Sequence, residues 1–179
     1  GHNIGADIQN KWLIGKVGIT AGANYENENT KNTVGTDSAK RDSGAVFFMT
    51  ETQIGAKTKM FLGAREAYVE ESGSKFCPQF QLLQNIGENE NIYLNINKSM
   101  RAPNINEQWG TATQLMNPDL KAESGWNYEL GWKKKITDND LLKLNIFHMD
   151  IDDRIYRAKD STSGLKCRKI SQHRCGIKL

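Results

Sequence analysis

Apolar and polar side chains alternate one for one along most of this chain, and a helical period never holds for long. Between Lys16 and Glu26, Val17, Ile19, Ala21, Ala23 and Tyr25 fall on one face, and Gly18, Thr20, Gly22, Asn24 and Glu26 on the other. Ile92, Leu94 and Ile96 oppose Tyr93, Asn95 and Asn97. The cleanest stretch sets Trp126, Tyr128, Leu130 and Trp132 against Asn127, Glu129, Gly131 and Lys133. Such a period belongs to a strand whose two faces meet different surroundings. Three aromatic rings and a leucine on one face need a thick apolar partner, either a protein core or lipid.

The pattern predicts eight strands, near residues 2–9, 16–27, 44–54, 58–71, 75–85, 91–99, 124–135 and 141–156. In the last of these the alternation slips. Leu142, Leu144 and Ile146 hold one phase, then Phe147, Met149 and Ile151 hold the other. A β-bulge near Ile146 is the expectation, with burial on both faces as the alternative.

The connections fall into two kinds. Those near 54–58, 86–90 and 136–140 are short and carry turn residues such as Gly87-Glu88-Asn89 and Asp138-Asn139-Asp140. Those near 28–43 and 100–123 are long and polar. Short turns at one end and long loops at the other are the habit of an outer-membrane β-barrel. Glu71-Ser72-Gly73-Ser74 is the exception, a short connection where the rule asks for a long one. The fold class expected is all-β: an antiparallel up-and-down meander of about eight strands belonging to a larger transmembrane β-barrel.

Composition leaves that reading open. The 179 residues carry a net charge of +3, which implies no polyanionic partner and no nucleic acid. No apolar run is long enough for a membrane-spanning helix, which needs about 18 residues or more. A mean hydropathy of −0.65 suits a soluble β-protein and a barrel wall equally, because half of a barrel's side chains face a polar lumen. Three prolines beside abundant Gly and Asn favour strands and turns over a helical bundle. No targeting segment is visible at Gly1, where strand-like sequence has already begun.

Several segments then resemble one family. Phe61-Leu62-Gly63-Ala64-Arg65 looks like its glycine–apolar–arginine strand, and Lys75-Phe76-Cys77-Pro78-Gln79-Phe80 like a strand built around a proline, with Cys77 where serine is more usual. Ser99-Met100-Arg101-Ala102-Pro103-Asn104 is similar to its serine–x–arginine–alanine–proline motif. Asn117-Pro118-Asp119-Leu120-Lys121-Ala122-Glu123 resembles its loop-closing motif, with Ala122 where proline is common. Trp126–Trp132 and Asn145–Tyr156 are similar to the two strands that follow. Each motif is degenerate, but their order and spacing over residues 44–156 are specific. By this resemblance the chain is identified as part of a TonB-dependent outer-membrane receptor.

The resemblance implies a barrel of roughly 22 strands with a plugged lumen, of which this chain covers about a third. It implies uptake of a scarce nutrient (an iron chelate such as a siderophore complex, haem or cobalamin) through a receptor in the outer membrane of a diderm bacterium. The partners implied are outer-membrane lipid and TonB, whose contact segment lies N-terminal in the family and outside this chain. No enzyme activity and no cofactor follow from it. A fragment of this size is not expected to close or to transport alone. Two other readings stay open: a soluble antiparallel β-domain binding ligand or protein through its long loops, and a truncated, non-functional receptor product. A barrel piece is expected to need detergent, since its apolar face and open edges invite aggregation.

The candidate site residues follow. The extracellular loops 28–43 and 100–123 are the candidate ligand-binding segments, with Trp109 either touching ligand or packing the loop. Arg101, Pro103, Asn117, Pro118, Leu120 and Glu123 form the structural motif, and Arg101 and Glu123 bracket the loop where a charge-assisted hydrogen bond between them would hold its base. Two separately solvated charges are the alternative. Trp126, Tyr128, Leu130 and Trp132 are read as lipid-facing, with the outer rings near the interfacial belts.

His2, His148 and His173 lack zinc-ligand spacing, and Asp150, Asp152 and Asp153 lack the glycine and terminal glutamate of a calcium loop. No metal is expected. Residues 1–160 are assigned to the partial barrel, and 161–179 to an atypical basic tail in which Cys167 and Cys175 flank His173. Two cysteines and one histidine are too few for a closed zinc site. Back-translated with permitted codons and shifted by one base, Lys166 to Lys178 reads Asn-Ala-Glu-Lys-Tyr-Leu-Asn-Thr-Asp-Val-Glu-Leu, a strand-like run. The tail is therefore expected to be out of frame or disordered.

Overall fold

A computed structural model describes residues 1–30, 39–109, 117, 119–156, 166–167 and 172–178. Eight long strands run up and down in sequence order: β1 (His2–Ile14), β2 (Val17–Thr30), β3 (Ala39–Ile54), β4 (Thr58–Val69), β5 (Gly73–Asn85), β6 (Glu90–Arg101), β7 (Glu123–Lys135) and β8 (Leu141–Asp152). One turn of helix, α1 (Ile105–Trp109), lies between β6 and β7. Two short strands, β9 (Ile155–Tyr156) and β10 (Lys166–Cys167), pair with each other, and β11 (Gln172–Lys178) adds to the open edge of β8. The large sheet thus has the order β1-β2-β3-β4-β5-β6-β7-β8-β11, antiparallel throughout. Of the tail 161–179, only β10 and β11 lie among the described residues.

Three details differ from the sequence reading. The loop assigned to 28–43 is largely ladder, because β2 and β3 stay paired out to Thr30 opposite Ala39. Asn27, Glu28, Asn29, Arg41 and Asp42 read as loop by polarity alone, yet their backbones pair and their side chains hold one another. What remains of that loop, 31–38, lies outside the described residues. The bulge expected near Ile146 is absent, since β8 pairs in unbroken register with both β7 and β11. The change of apolar phase is instead a change of face along one regular strand. Finally, β8 stops at Asp152 rather than continuing to Tyr156, because Asp153 takes a left-handed conformation (φ 54°) that a strand cannot hold.

The register sorts every strand onto two faces, since directly opposed residues share one. One row across the sheet runs Trp12, Ile19, Thr50, Leu62, Phe80, Ile96, Tyr128 and His148. Its neighbour runs Ile14, Val17, Thr52, Met60, Leu82, Leu94, Leu130 and Ile146. The opposite face carries Gln79, Asn97, Asn127 and Met149 in one row and Gln81, Asn95, Glu129 and Phe147 in the next. A single sheet layer cannot bury its own apolar face. Accordingly Ile8, Val46, Leu130 and Ile146 are each at least half exposed, and the buried apolar residues are few and gather near the loops.

The turns are short at one end of the sheet. Gly15-Lys16 joins Ile14 to Val17 directly, with Gly15 at φ 61°, the conformation a two-residue hairpin asks of its first residue. At the other end lie 31–38, the tight Glu70–Ser72 connection, and the segment 102–122 that carries α1.

Candidate functional site

The loop end of the sheet is where the polar side chains converge. β6 ends at Arg101, and Pro103 lacks the N–H that a ladder would need. Asn104 then caps α1. Its Oδ1 accepts the Glu107 N–H at 2.8 Å, while Glu107 Oε2 accepts the Asn104 N–H at 2.8 Å. This reciprocal pair is a capping box, which satisfies two donors that a helix start otherwise leaves open.

The same Glu107 carboxylate also takes Arg101 Nη1 at 3.2 Å. Arg101 turns its other edge to Glu123, donating from Nε at 2.9 Å and from Nη2 at 3.3 Å. Arg101 and Glu123 are also direct cross-strand partners at the end of the β6–β7 ladder, beyond Trp126. Glu123 accepts a further hydrogen bond from the Ile155 N–H, which ties β9 to the start of β7. Burial pushes the Glu123 carboxyl up, but Arg101 and the Ile155 N–H together outweigh it and hold the group below its ordinary value. The hydrogen bond to Glu123 leads the opposite effect on Arg101, whose guanidinium is held more firmly protonated despite partial burial.

Two further contacts carry this loop sideways across the mouth. Arg41 of β3 donates Nη1 to the Pro103 carbonyl, and its Nη2 pairs with Glu28 of β2 at 2.8 Å. Gln108 reaches Ser72 Oγ with Nε2 at 3.5 Å, a weak contact, and its buried Oε1 has no protein partner. β4 and β5 separate β6 from β3, so residues 102–108 pass over the β4–β5 connection to reach Arg41. The short Glu70–Ser72 turn, anomalous by its sequence, makes room for that crossing.

The second half of the motif closes the loop. Asn117 donates its N–H to the Gln108 carbonyl at 2.9 Å and accepts the Asp119 N–H on Oδ1 at 3.2 Å. Leu120 and Ala122 are fully buried, and Leu120 packs with Ile155. Pro118, the side chain of Trp109 and residues 110–116 lie outside the described residues.

Trp126, Tyr128, Leu130 and Trp132 share the apolar face, and no described element of the chain covers it. Trp126 stacks on Tyr128 with ring centroids 6.2 Å apart and planes 19° apart. Trp132 donates its indole N–H to Glu90 Oε1 at 2.7 Å, near the short-turn end. On the opposite face Tyr93 lies over Gly131 and donates to Asn145 Oδ1 at 2.7 Å, with Glu129 Oε1 at 3.0 Å. Lys133 Nζ sits 4.8 Å from the centre of that ring. Asn91 Oδ1 and Asn95 Oδ1 on this face are shut from water without a protein donor.

The structure therefore brings Arg101 and Glu123 together and buries Leu120 and Pro103. Sequence reasoning missed Glu107, Gln108, Arg41 and Glu28. Glu107 had a signal, the Asn104-x-x-Glu107 spacing of a capping box. Arg41 had none, because its partner lies 62 residues away.

The family model for the TonB-dependent receptor-like β-barrel matches residues 2–172. The siderophore receptor PirA from Pseudomonas aeruginosa superposes with a TM-score of 0.82 at 17% identity, covering 93% of this chain and 37% of that one. The ferric enterobactin receptor PfeA of the same organism, as a G324V mutant, gives 0.77 at 16% identity over 98% of this chain and 32% of its own. The FrpB iron transporter from Neisseria meningitidis gives 0.67 at 15% identity over 89% and 29%. At such identities the likeness is one of fold. The chain spans about a third of the length of these proteins. No curated protein matches it.

Proposed function

This chain belongs to the TonB-dependent receptor β-barrel family, and we propose that it is a section of the outer-membrane wall of a receptor for energised uptake of a scarce nutrient. The nutrient class is siderophore-bound iron, with haem and cobalamin as the other members. What carries the reading is the two-sidedness of the sheet: an uncovered apolar face against a polar one, in a chain matched to this family along most of its length. The apolar face with Trp126, Tyr128, Leu130 and Trp132 meets lipid, where such rings favour the interfaces. The polar face lines the lumen. The long connections stand outside the cell, and Arg101, Glu107, Glu123 and Arg41 fix the one between β6 and β7 as a strap at the mouth.

On this reading the chain is a transport component rather than an enzyme. The receptor's energy then comes from TonB. The names of the similar structures, a siderophore receptor, a ferric enterobactin receptor and an iron transporter, support the iron-chelate class first.

Two experiments test it. Expressed in a diderm bacterium with its gene's own flanking sequence, the protein is expected in the detergent-soluble outer-membrane fraction; a monodisperse protein in the soluble fraction overturns the membrane assignment. A strain with the gene deleted is then offered siderophore-bound iron, haem or cobalamin as its sole source. Lost growth on one of them names the class, and undiminished growth on all three counts against uptake.

A further inference from the structure

At the short-turn end of the polar face, one row runs Asn85, Asn91, Lys133 and Lys143 across β5, β6, β7 and β8. The two lysines are thus direct cross-strand partners, and like charges set opposite one another destabilise a sheet. Neighbouring lysines are relieved: Lys59 pairs with Glu51 at 3.6 Å, Lys134 with Glu90 at 3.8 Å and Lys135 with Asp138 at 2.7 Å. Among the described residues, Lys133 and Lys143 have no carboxylate at ion-pair distance. Lys133 instead lies over the Tyr93 ring, with Nζ 4.8 Å from its centre. That contact orders the ammonium without neutralising it. Glu129, two rows inward on the same face, is engaged by the Tyr93 hydroxyl.

We propose that this row is a docking surface for an acidic polypeptide segment, whose carboxylates seat on Lys133 and Lys143 and whose backbone runs over Asn91 and Asn85. Charge complementarity selects the sign of the partner. The two asparagines select its kind. A side-chain amide offers a donor and an acceptor together, as a peptide group does. A bare inorganic anion would use the donors alone. In an extended segment, acidic side chains at i and i+2 stand about 7 Å apart on one face, while opposed lysines have Cβ atoms about 4.5–5.5 Å apart. The flexible lysine stems close that difference, so two carboxylates meet two ammoniums.

On the receptor reading above, the row lies on the lumen side of the periplasmic rim, and the segment enters from that side. This location rests on that reading. The docking itself does not, and binding measured in detergent separates the two: a peptide that fails to bind leaves the membrane assignment standing, and a failed membrane assignment leaves the binding result standing.

The test uses the full chain, refolded in detergent, and a fluorescently labelled peptide of alternating Glu and Ser, followed by anisotropy. The peptide is expected to bind and to be released by added salt, which screens exposed charges. Lys133→Gln and Lys143→Gln are each expected to weaken binding about two- to fivefold, the range of an exposed ion pair, and Lys143→Arg to retain it. Lys143→Gln is also expected to leave resistance to urea unchanged or higher, because one of two opposed like charges is gone. Weaker binding then does not come from lost folding. Lys134→Gln makes the same charge change on the apolar face, opposite Leu142, and is expected to bind as the wild type does. The proposal is overturned if the Glu-Ser peptide does not bind, if a Gln-Ser peptide binds equally, or if Lys134→Gln weakens binding as much as Lys143→Gln. Displacement of the peptide by inorganic phosphate at matched charge concentration overturns it too, since the row would then be a site for a bare anion.

Discussion

Gly131 tests whether the packing of the polar face is as tight as the geometry states. A Cβ placed there would lie 2.1 Å from Tyr93 Cζ, far inside contact distance, so even Gly131→Ala must push the ring aside. Moving the ring breaks the Tyr93 hydroxyl's contacts with Asn145 at 2.7 Å and Glu129 at 3.0 Å, and its stacking under Lys133. The single hydroxyl proton is shared between the two oxygens, so one hydrogen bond at about 0.5–1.5 kcal/mol plus a cation–π contact of about 0.5–1 kcal/mol comes to roughly 1–2.5 kcal/mol. Against this, alanine in a strand gains about 0.5–1 kcal/mol over glycine. The expected net loss is therefore about 0.5–1.5 kcal/mol. It is read from urea unfolding of the refolded chain in detergent micelles, followed by tryptophan fluorescence. The decisive comparison is Gly131→Ala in a Tyr93→Ala background, where the ring is gone and the substitution should become neutral or stabilising. An equal loss in both backgrounds would refute the reasoning, because the cost would then come from the backbone and not from the ring.

The other expectations concern the loop end. Glu123→Gln should speed hydrogen exchange of the Ile155 amide by about tenfold, the equivalent of one hydrogen bond's net contribution, while amides in the middle of β4 stay unchanged. Because the Glu123 carboxyl is held below its ordinary value, its contribution is complete above the unfolded value of about 4.3 and fades as pH falls through the lowered folded one; a wild-type acid-unfolding midpoint no lower than that of Glu123→Gln would contradict this. Asn104→Ala should cost about 0.5–2 kcal/mol of local stability in α1, seen as faster exchange of the Glu107 amide, which Asn104 Oδ1 accepts. Arg41→Ala should release the strap from β3, lengthening a spin-label distance between β3 and α1. Glu28→Gln, which leaves the Arg41 donor to Pro103 in place, should change that distance less.

Much of the fold was legible because alternation is a local property. The eight long strands follow from which neighbours are apolar, and the register between them follows from short turns such as Gly15-Lys16. Boundaries were less legible where polarity and pairing disagree. Asn27 to Thr30 and Lys40 to Asp42 look like loop because both faces are polar there, yet the ladder continues between them. The β8 phase change misled for a related reason. Phe147, Met149 and Ile151 are apolar on a face that is largely polar across the neighbouring β7, and a bulge was the wrong device to explain it. Arg101 and Glu123 were legible as a pair because one hairpin ladder ends on both. Arg41 and Pro103 were not, since nothing local records that a loop crosses two strands.

That crossing also bears on why polar contacts matter so much in this chain. A one-layer sheet has almost no interior, and among the described residues the largest fully buried side chains are Leu120, Gln108 and Pro103, all in the strap. The ladder itself is stabilised by backbone hydrogen bonds and by whatever covers its apolar face. Neither of these fixes the path of residues 102–122. Their position rests instead on the Arg101 bridge between two carboxylates, on Arg41, and on the small apolar contact of Leu120 with Ile155. The ion pairs are partly exposed, and exposed pairs contribute little each. The strap is thus held by several weak ties at separate points. The loss of any one should loosen it locally before the sheet is disturbed, and that ordering separates the strap's contacts from those around Gly131, where a single methyl group disturbs the wall itself.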